Sequence, residues 1–195
     1  MTALLFILGL YPLALWTGLG LTDGLTANPP EYLIRSSGEW ALVGLCLVLA
    51  ASPLQKLLHL DFLLRHRRMV ALYSFFYAGL HVLGWAFWEQ GLLPAAMWSD
   101  IVNRLFITVG TVAVVLMVPL AFTSTRGWMR RLGRNWKRLH RLVYVVAGLE
   151  LWHFWLVRAG KNNFDRVWVY IAVVALLLIF RLVWQRRRAV PVRQA

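Results

Sequence analysis

Apolar runs close to 20 residues long recur along this chain, parted by short segments rich in arginine, glycine, proline and acids. Wound at 1.5 Å per residue, such a run covers the ~30 Å hydrocarbon core of a bilayer. Backbone groups in lipid must satisfy one another within the segment, so runs of this kind predict helices rather than open strands. The chain is 60% hydrophobic, against ~45–50% for a soluble domain, and its mean hydropathy is +0.62. The expectation is an all-α, polytopic membrane protein with six transmembrane helices. It forms a single domain over residues 1–195, with a basic tail from about 185 to 195. A separate flavin or nicotinamide domain would need ~100 further residues, and no GxGxxG fingerprint is present.

In chain order, the first span runs roughly from Thr2 to Leu21 with Pro12 inside it, a kink that membrane helices tolerate. It lacks a basic n-region and a cleavage site, so it reads as a span and not as a removed leader. Thr22–Ser37, with Gly24, Pro29 and Pro30, reads as a loop by its turn chemistry. The second span covers about Gly38 to Leu58, interrupted near Ser52-Pro53, and a basic connector ends at Arg68. The third span is about Met69 to Trp88, Glu89–Asn103 is a mixed-charge loop, and the fourth span is about Leu105 to Phe122. A strongly basic loop, Thr123–Arg138, leads into the fifth, Trp136–Val157; the sixth runs from about Val167 to Trp184. No internal repeat is evident.

Charge sets the orientation. The net charge of +13 suggests nucleic acid at first, but its cations sit in short loops between apolar spans. In a six-span arrangement, 16 of the 21 Lys and Arg fall on one side, in the second-to-third connector, around Arg126–Arg141, and in the tail. Most acids, including Asp23, Glu31, Glu39, Glu89, Asp100 and Asp165, fall on the other. By the positive-inside rule both termini and the basic loops are cytoplasmic.

Ionisable groups inside a membrane are expensive and point to function. His81 lies thirteen residues beyond Arg68 and His153 fifteen beyond Arg138, which puts them ~20 and ~22 Å from the cytoplasmic face on parallel helices. Two neutral imidazoles at one depth suit the axial positions of a b-type haem iron. Ala78 and Gly84 near His81, and Gly148 one turn before His153, would admit a flat macrocycle. The plainer reading is a pair of core histidines bonded to neighbouring helices. His140, ~3 Å inside the cytoplasmic boundary, and His66 at a similar level would make an inner site; alternatively His140 is a snorkelling interfacial residue. His66 and His59 read more simply as solvated loop residues. Thirteen residues between His140 and His153 leave them ~140° apart on an ideal helix, so either the helix is distorted near Gly148 or an inner group approaches from another side. Glu150 would orient a ligand imidazole or carry a proton, or else stand protonated or paired elsewhere. The single cysteine, Cys46, excludes an intramolecular disulfide and reads as a small buried hydrophobe.

Several stretches carry a resemblance: RHRRMVALYSFFYAGLHVLGWAFWE, LAFTSTRGWMRRLGRNWKRLHRLVYVVAGLELWHFWL, PLQKLL and LTANPPEYL. Together they cover nearly the whole chain and resemble the MsrQ family, formerly YedZ. That family lies within the ferric-reductase-like transmembrane superfamily, with the NADPH oxidases. The resemblance implies a six-span b-type cytochrome of the bacterial inner membrane with one or two haems. It places ligands at His81, His140 and His153, while His66 matches no family ligand position. It implies FMN binding, electrons from a cytosolic flavin reductase or the quinone pool, and delivery to a periplasmic molybdopterin-containing reductase, MsrP, that repairs oxidised methionines. The chain departs from the family pattern in Met-Val-Ala-Leu after Arg68 and in Glu150, where an apolar residue is expected. The implied role is an electron-transfer subunit and not the catalytic subunit. The alternatives are a free-standing ferric or oxygen reductase, and a haem-free transport or assembly protein whose histidines are polar glue between helices.

Overall fold

The computed structural model describes residues 2–160 and 162–189, with side chains to 186; the end of the basic tail lies outside the described residues. Every regular element among them is helical. α1 (Thr2–Gly9) and α2 (Tyr11–Leu21) are followed by the long α3 (Pro29–Leu58) and α4 (Asp61–Gly84), the latter continuing as a π-helical turn, Trp85–Glu89. After these come α5 (Pro94–Asn103), α6 (Leu105–Phe122), the short α7 (Arg126–Leu132) and α8 (Arg134–Leu139), α9 (Leu142–Ala159) and α10 (Asp165–Ala189). Five of the helical segments are long and apolar enough to cross a membrane, and α1 with α2, bent by 43°, forms a sixth.

The bent pair behaves as one span because its neighbours climb with it. Thr2 Oγ1 meets His66 Nε2 at 3.1 Å, Tyr73 donates its hydroxyl to the carbonyl of Phe6 and Tyr77 to that of Gly9, and Trp16 Nε1 reaches Ser36 Oγ at 3.0 Å. These partners ascend α4 and arrive at the start of α3, so α1 and α2 traverse the bundle side by side with α4. The chain therefore starts at the same end as the α3–α4 connector. Pro12, at the first turn of α2, has no N–H to continue the ladder. Gly9 lets the Tyr73 ring lie flat against the backbone, since a Cβ there would sit 2.3 Å from it. The Tyr77 bond to Gly9, at 2.6 Å, is the tie between this span and the core. Tyr77→Phe is expected to destabilise the bundle by about 0.6 kcal/mol, a typical interhelical hydrogen bond in a membrane protein. Reversible denaturation in mixed detergent micelles measures it.

Several boundaries differ from the sequence reading, each for a local reason. Pro29 and Pro30 do not mark a loop: they occupy the first turn of α3, where a missing N–H goes unnoticed, and Asn28 caps the helix by accepting from the Glu31 amide. The second span is therefore some nine residues longer at its N-terminal end. Pro53 does not interrupt it, and the basic connector shrinks to a turn with His59 in the left-handed conformation. Arg65 to Arg68 are already helical. Glu89–Asn103 is not all loop, because Pro94 starts the amphipathic α5. The fifth span is broken at His140 and Arg141, between α8 and α9, and not at Gly148.

The core gathers where α3 and α4 pack against α6, α9 and α10, around Leu42, Leu45, Leu49, Tyr77, Met117, Val146, Ala147 and Val174. Gly44 brings the helices together: a Cβ there would lie 2.9 Å from that of Ser74, whose hydroxyl donates to the carbonyl of Ala41 at 2.7 Å. Cys46 is buried in this core, as read from the sequence. The lipid-facing sides of α6, α9 and α10 remain apolar and exposed, with Val115, Trp152 and Leu176 pointing outward.

Candidate functional site

Two helix hairpins, α3 with α4 and α6 with α9, each present one histidine to a shared cavity. His81 and His153 face each other there with ring centroids 6.0 Å apart and ring planes crossed at 80°. The depth match read from the sequence thus becomes contact.

What holds each ring is the same device used twice. Nδ1 of His81 donates to the carbonyl of Ile34 at 2.7 Å, and Nδ1 of His153 to the carbonyl of Phe106 at 2.7 Å. A carbonyl can only accept, so the proton sits on Nδ1 and the lone pair on Nε2 of both rings. One helical turn after each carbonyl stands a glycine. A Cβ on Gly38 would lie 2.9 Å from Nδ1 of His81, and one on Gly110 would lie 2.8 Å from Nδ1 of His153. The glycines open the helix surface so that an imidazole can reach a backbone oxygen. Ile34, Gly38 and His81 recur at the same spacing as Phe106, Gly110 and His153, each 72 positions on. The two hairpins thus share one spacing of carbonyl, glycine and histidine, although the residues around those positions show no evident repeat.

An imidazole with Nδ1–H given to a backbone carbonyl is the arrangement that metal-ligating histidines adopt, since the outer bond fixes tautomer and orientation. Two such rings on opposite walls of one cavity, 6.0 Å between centroids, are residues that would hold a metal-centred cofactor between them. The cavity between the helices measures about 810 Å³, inside the ~300–1,000 Å³ range of sites that enclose a whole cofactor. Ala78 lines it, as expected. Gly84 instead packs beneath Ile34 and Trp88, and Gly148 faces outward with nothing within 4 Å of its would-be Cβ.

Arg35, Arg104 and Arg158 also line the cavity. Arg35 pairs with Glu31, Arg104 Nε meets Asp100 at 2.8 Å, and Arg158 lies over the ring of Phe154. Asp100 also accepts from Trp85 Nε1 at 3.0 Å and Gln90 Nε2 at 2.9 Å, tying α5 to the π-helical turn as a rim. Asp100→Ala removes three partners at once and is expected to loosen this rim, seen as faster amide exchange over residues 85–104 with the rest of the bundle unchanged.

Glu150 also lines the cavity, with Oε2 buried and without a hydrogen-bond partner. It does not orient His153 through Nδ1, because Phe106 already occupies that nitrogen. Away from the cavity His140 caps α8, with Nδ1 3.2 Å from the carbonyl of Trp136 and its ring stacked on the Trp136 indole at 4.0 Å. A two-residue turn at His140 and Arg141, with both residues still in right-handed helical torsions, separates α8 from α9, so His140 and His153 do not share one regular helix. His66 has both nitrogens engaged, with Thr2 and with the carbonyl of Phe62. It therefore offers no free lone pair to an inner site. His59 is exposed.

Comparison with known proteins agrees with this architecture. The model of the ferric reductase like transmembrane component family matches residues 37–151. The protein-methionine-sulfoxide reductase heme-binding subunit MsrQ of Bordetella pertussis is 50% identical over 186 residues, 95% of this chain and 90% of the relative. Its counterpart in Ralstonia nicotianae is 50% identical over 94% of this chain and 85% of the relative. The one in Xanthomonas campestris pv. campestris is 42% identical over 86% and 76%. No solved structure matches. With a two-hairpin histidine site inside six apolar spans, and relatives of this identity over nearly its full length, the chain belongs to the MsrQ family of ferric-reductase-like transmembrane proteins.

Proposed function

We propose that this chain is a haem-bearing electron-transfer subunit that passes electrons across the bacterial inner membrane to a periplasmic methionine-sulfoxide reductase. The observation that carries the reading is the pair of facing imidazoles that line the cavity, each with Nδ1–H given to a backbone carbonyl, which leaves the lone pair on Nε2. His81 and His153 are the proposed axial ligands of a b-type haem, and Arg35, Arg104 and Arg158, which line the same cavity, suit its carboxylates. Haem supplies a one-electron couple; the protein supplies binding, orientation and a dry setting. The two hairpins hold their rings at fixed separation, so little reorganisation accompanies a change of charge between them. Glu150, on the cavity wall, adds a carboxyl next to the centre whose field tunes its potential.

His140 is the proposed ligand for an inner centre. It precedes His153 by thirteen residues, a rise of ~20 Å, so two such centres divide the ~30 Å bilayer between them. The basic α7 and α8 are assigned to the cytoplasmic face, where cations attract an acidic donor or anionic lipid. Both termini are placed on that face by the same charge bias. The donor, a flavin reductase or quinol, and a molybdopterin-containing acceptor follow from the family.

The test is spectroscopic and then functional. Protein from haem-replete cells should be red, with a low-spin b-type α-band on reduction. In proteoliposomes with reductant inside it should reduce a family catalytic subunit added outside. A colourless protein, or a red one that leaves methionine sulfoxide untouched, overturns the reading. His140→Ala is expected to lower the haem count per chain in a pyridine haemochrome assay while sparing the His81–His153 signal.

A further inference from the structure

The inner end of the bundle holds two cations, Arg67 and Arg181, that meet no carboxylate among the described residues. Arg181 lies on α10, five residues before Arg186 and so ~7.5 Å deeper along the helix. Its guanidinium sits over the ring of Tyr144 on α9, 5.2 Å from Cζ to the ring centre, and Nη1 is buried without a hydrogen-bond partner. Arg67, half-buried on α4, lies close enough to interact with both Arg181 and Tyr144. Three helices from separate parts of the chain thus converge on two like charges.

Among the described residues the ion pairs lie elsewhere. The ion pairs formed by Arg35, Arg104 and Arg166 are all at the outer end, with Glu31, Asp100 and Glu39. The inner acid, Asp61, is exposed and accepts from Gln55. A solitary interfacial arginine snorkels outward to water and headgroups. Arg181 instead folds inward onto an aromatic face with a donor hidden, beside a second guanidinium, where a low dielectric makes both the repulsion and the missing partner expensive. The Tyr144 ring supports one face of Arg181 by a cation–π contact and leaves the guanidinium edge for in-plane bonds. An anion between the two guanidiniums would supply the missing acceptor and reverse the repulsion. Phosphate suits best: it brings several oxygens in a geometry that planar guanidiniums meet bidentately, and more charge than a single carboxylate.

We propose that Arg67 and Arg181, with Tyr144, form a phosphate-binding site at the inner end of α4, α9 and α10. The phosphate belongs either to an anionic membrane lipid or to a soluble phosphate-bearing molecule, and the experiment separates the two. Full-length protein is placed in nanodiscs of phosphatidylcholine alone or with phosphatidylglycerol, and retained lipid is counted by native mass spectrometry; a parallel series titrates inorganic phosphate against thermal stability. A lipid site retains phosphatidylglycerol in preference to phosphatidylcholine, and a soluble-ligand site gives a saturable phosphate-dependent rise in melting temperature. In either case Arg181→Gln and Arg67→Gln weaken binding about tenfold or more, the loss expected for a charge-assisted hydrogen bond, and Arg181→Lys keeps part of it. Should Arg181→Gln fail to fold, Arg67→Gln and Arg181→Lys carry the same comparison. Binding that none of these variants changes overturns the proposal. So does a loss of haem from Arg67→Gln with phosphate and lipid binding unchanged, which would assign the pair to a haem carboxylate.

Discussion

His81→Ala and His153→Ala are each expected to abolish the low-spin haem signal of the outer centre, with the helical fold retained. Each ring supplies one Nε2, and neither hairpin offers a second nitrogen at that level: His140 lies ~20 Å away along the chain axis and His66 has both nitrogens engaged. Loss of an outer-shell partner alone weakens metal binding ~10–100-fold, and loss of the ligand itself should exceed that. The alanine variant also leaves a void of imidazole size bounded by the freed Ile34 or Phe106 carbonyl. Added imidazole should therefore enter, donate to the same oxygen and restore the low-spin band. The absorption and electron paramagnetic resonance spectra of the two variants, with and without imidazole, check this. Retention of the full signal in both single variants would remove these residues from the site.

The part of this site that the sequence made legible was its polar half. Membrane spans declare themselves by continuous hydrophobicity, and a histidine inside one stands out because burying it is costly. Counting residues from the basic ends then matched His81 to His153, and the two rings do meet. The apolar half was not legible. Gly38 was read as the start of a span and Gly110 was not singled out, yet each is what lets an imidazole reach a backbone carbonyl. A backbone carbonyl carries no sequence signal, so Ile34 and Phe106 could not be read as partners at all. One trace was present: the interval from glycine to histidine is 43 in both hairpins, a match that acquires meaning only once the rings are seen facing.

The same contrast explains the misplaced boundaries. Proline was read as a breaker at Pro29-Pro30, but its effect depends on position, and at the first turn of a helix it removes nothing that was bonded. Arg65–Arg68 were read as a connector because they are charged, although charge decides solvation and leaves backbone conformation open. The inner end of a membrane helix satisfies both demands by extending past the hydrocarbon with its cations exposed. At His140 and Arg141 the sequence is basic and holds no proline or glycine, so the turn there follows from no residue with a helix-breaking signal. The Trp136 stack and the bond to its carbonyl hold His140 at the end of α8.

If the glycines are what seat the rings, the smallest possible change to them should empty the site. In Gly110→Ala the new methyl would lie 2.8 Å from Nδ1 and 3.0 Å from Cε1 of His153, and in Gly38→Ala 2.9 and 3.2 Å from the same atoms of His81. Atoms at that separation must move apart, and the ring cannot swing away without breaking its bond to the carbonyl one turn back. Helix propensity points the other way, since alanine is favoured over glycine by ~1 kcal/mol within a helix. A mere helix effect would thus raise stability and leave the haem alone, whereas a displaced imidazole loses ~10–100-fold in cofactor affinity without unfolding the bundle. Gly148→Ala is the matched control, on the same helix as His153 with nothing within 4 Å of the added carbon. The expected result is a protein with unchanged helical circular dichroism in all three variants. Haem is depleted or high-spin in Gly38→Ala and Gly110→Ala and normal in Gly148→Ala. Full low-spin haem in both of the first two would mean that the imidazoles are positioned by something other than these backbone carbonyls.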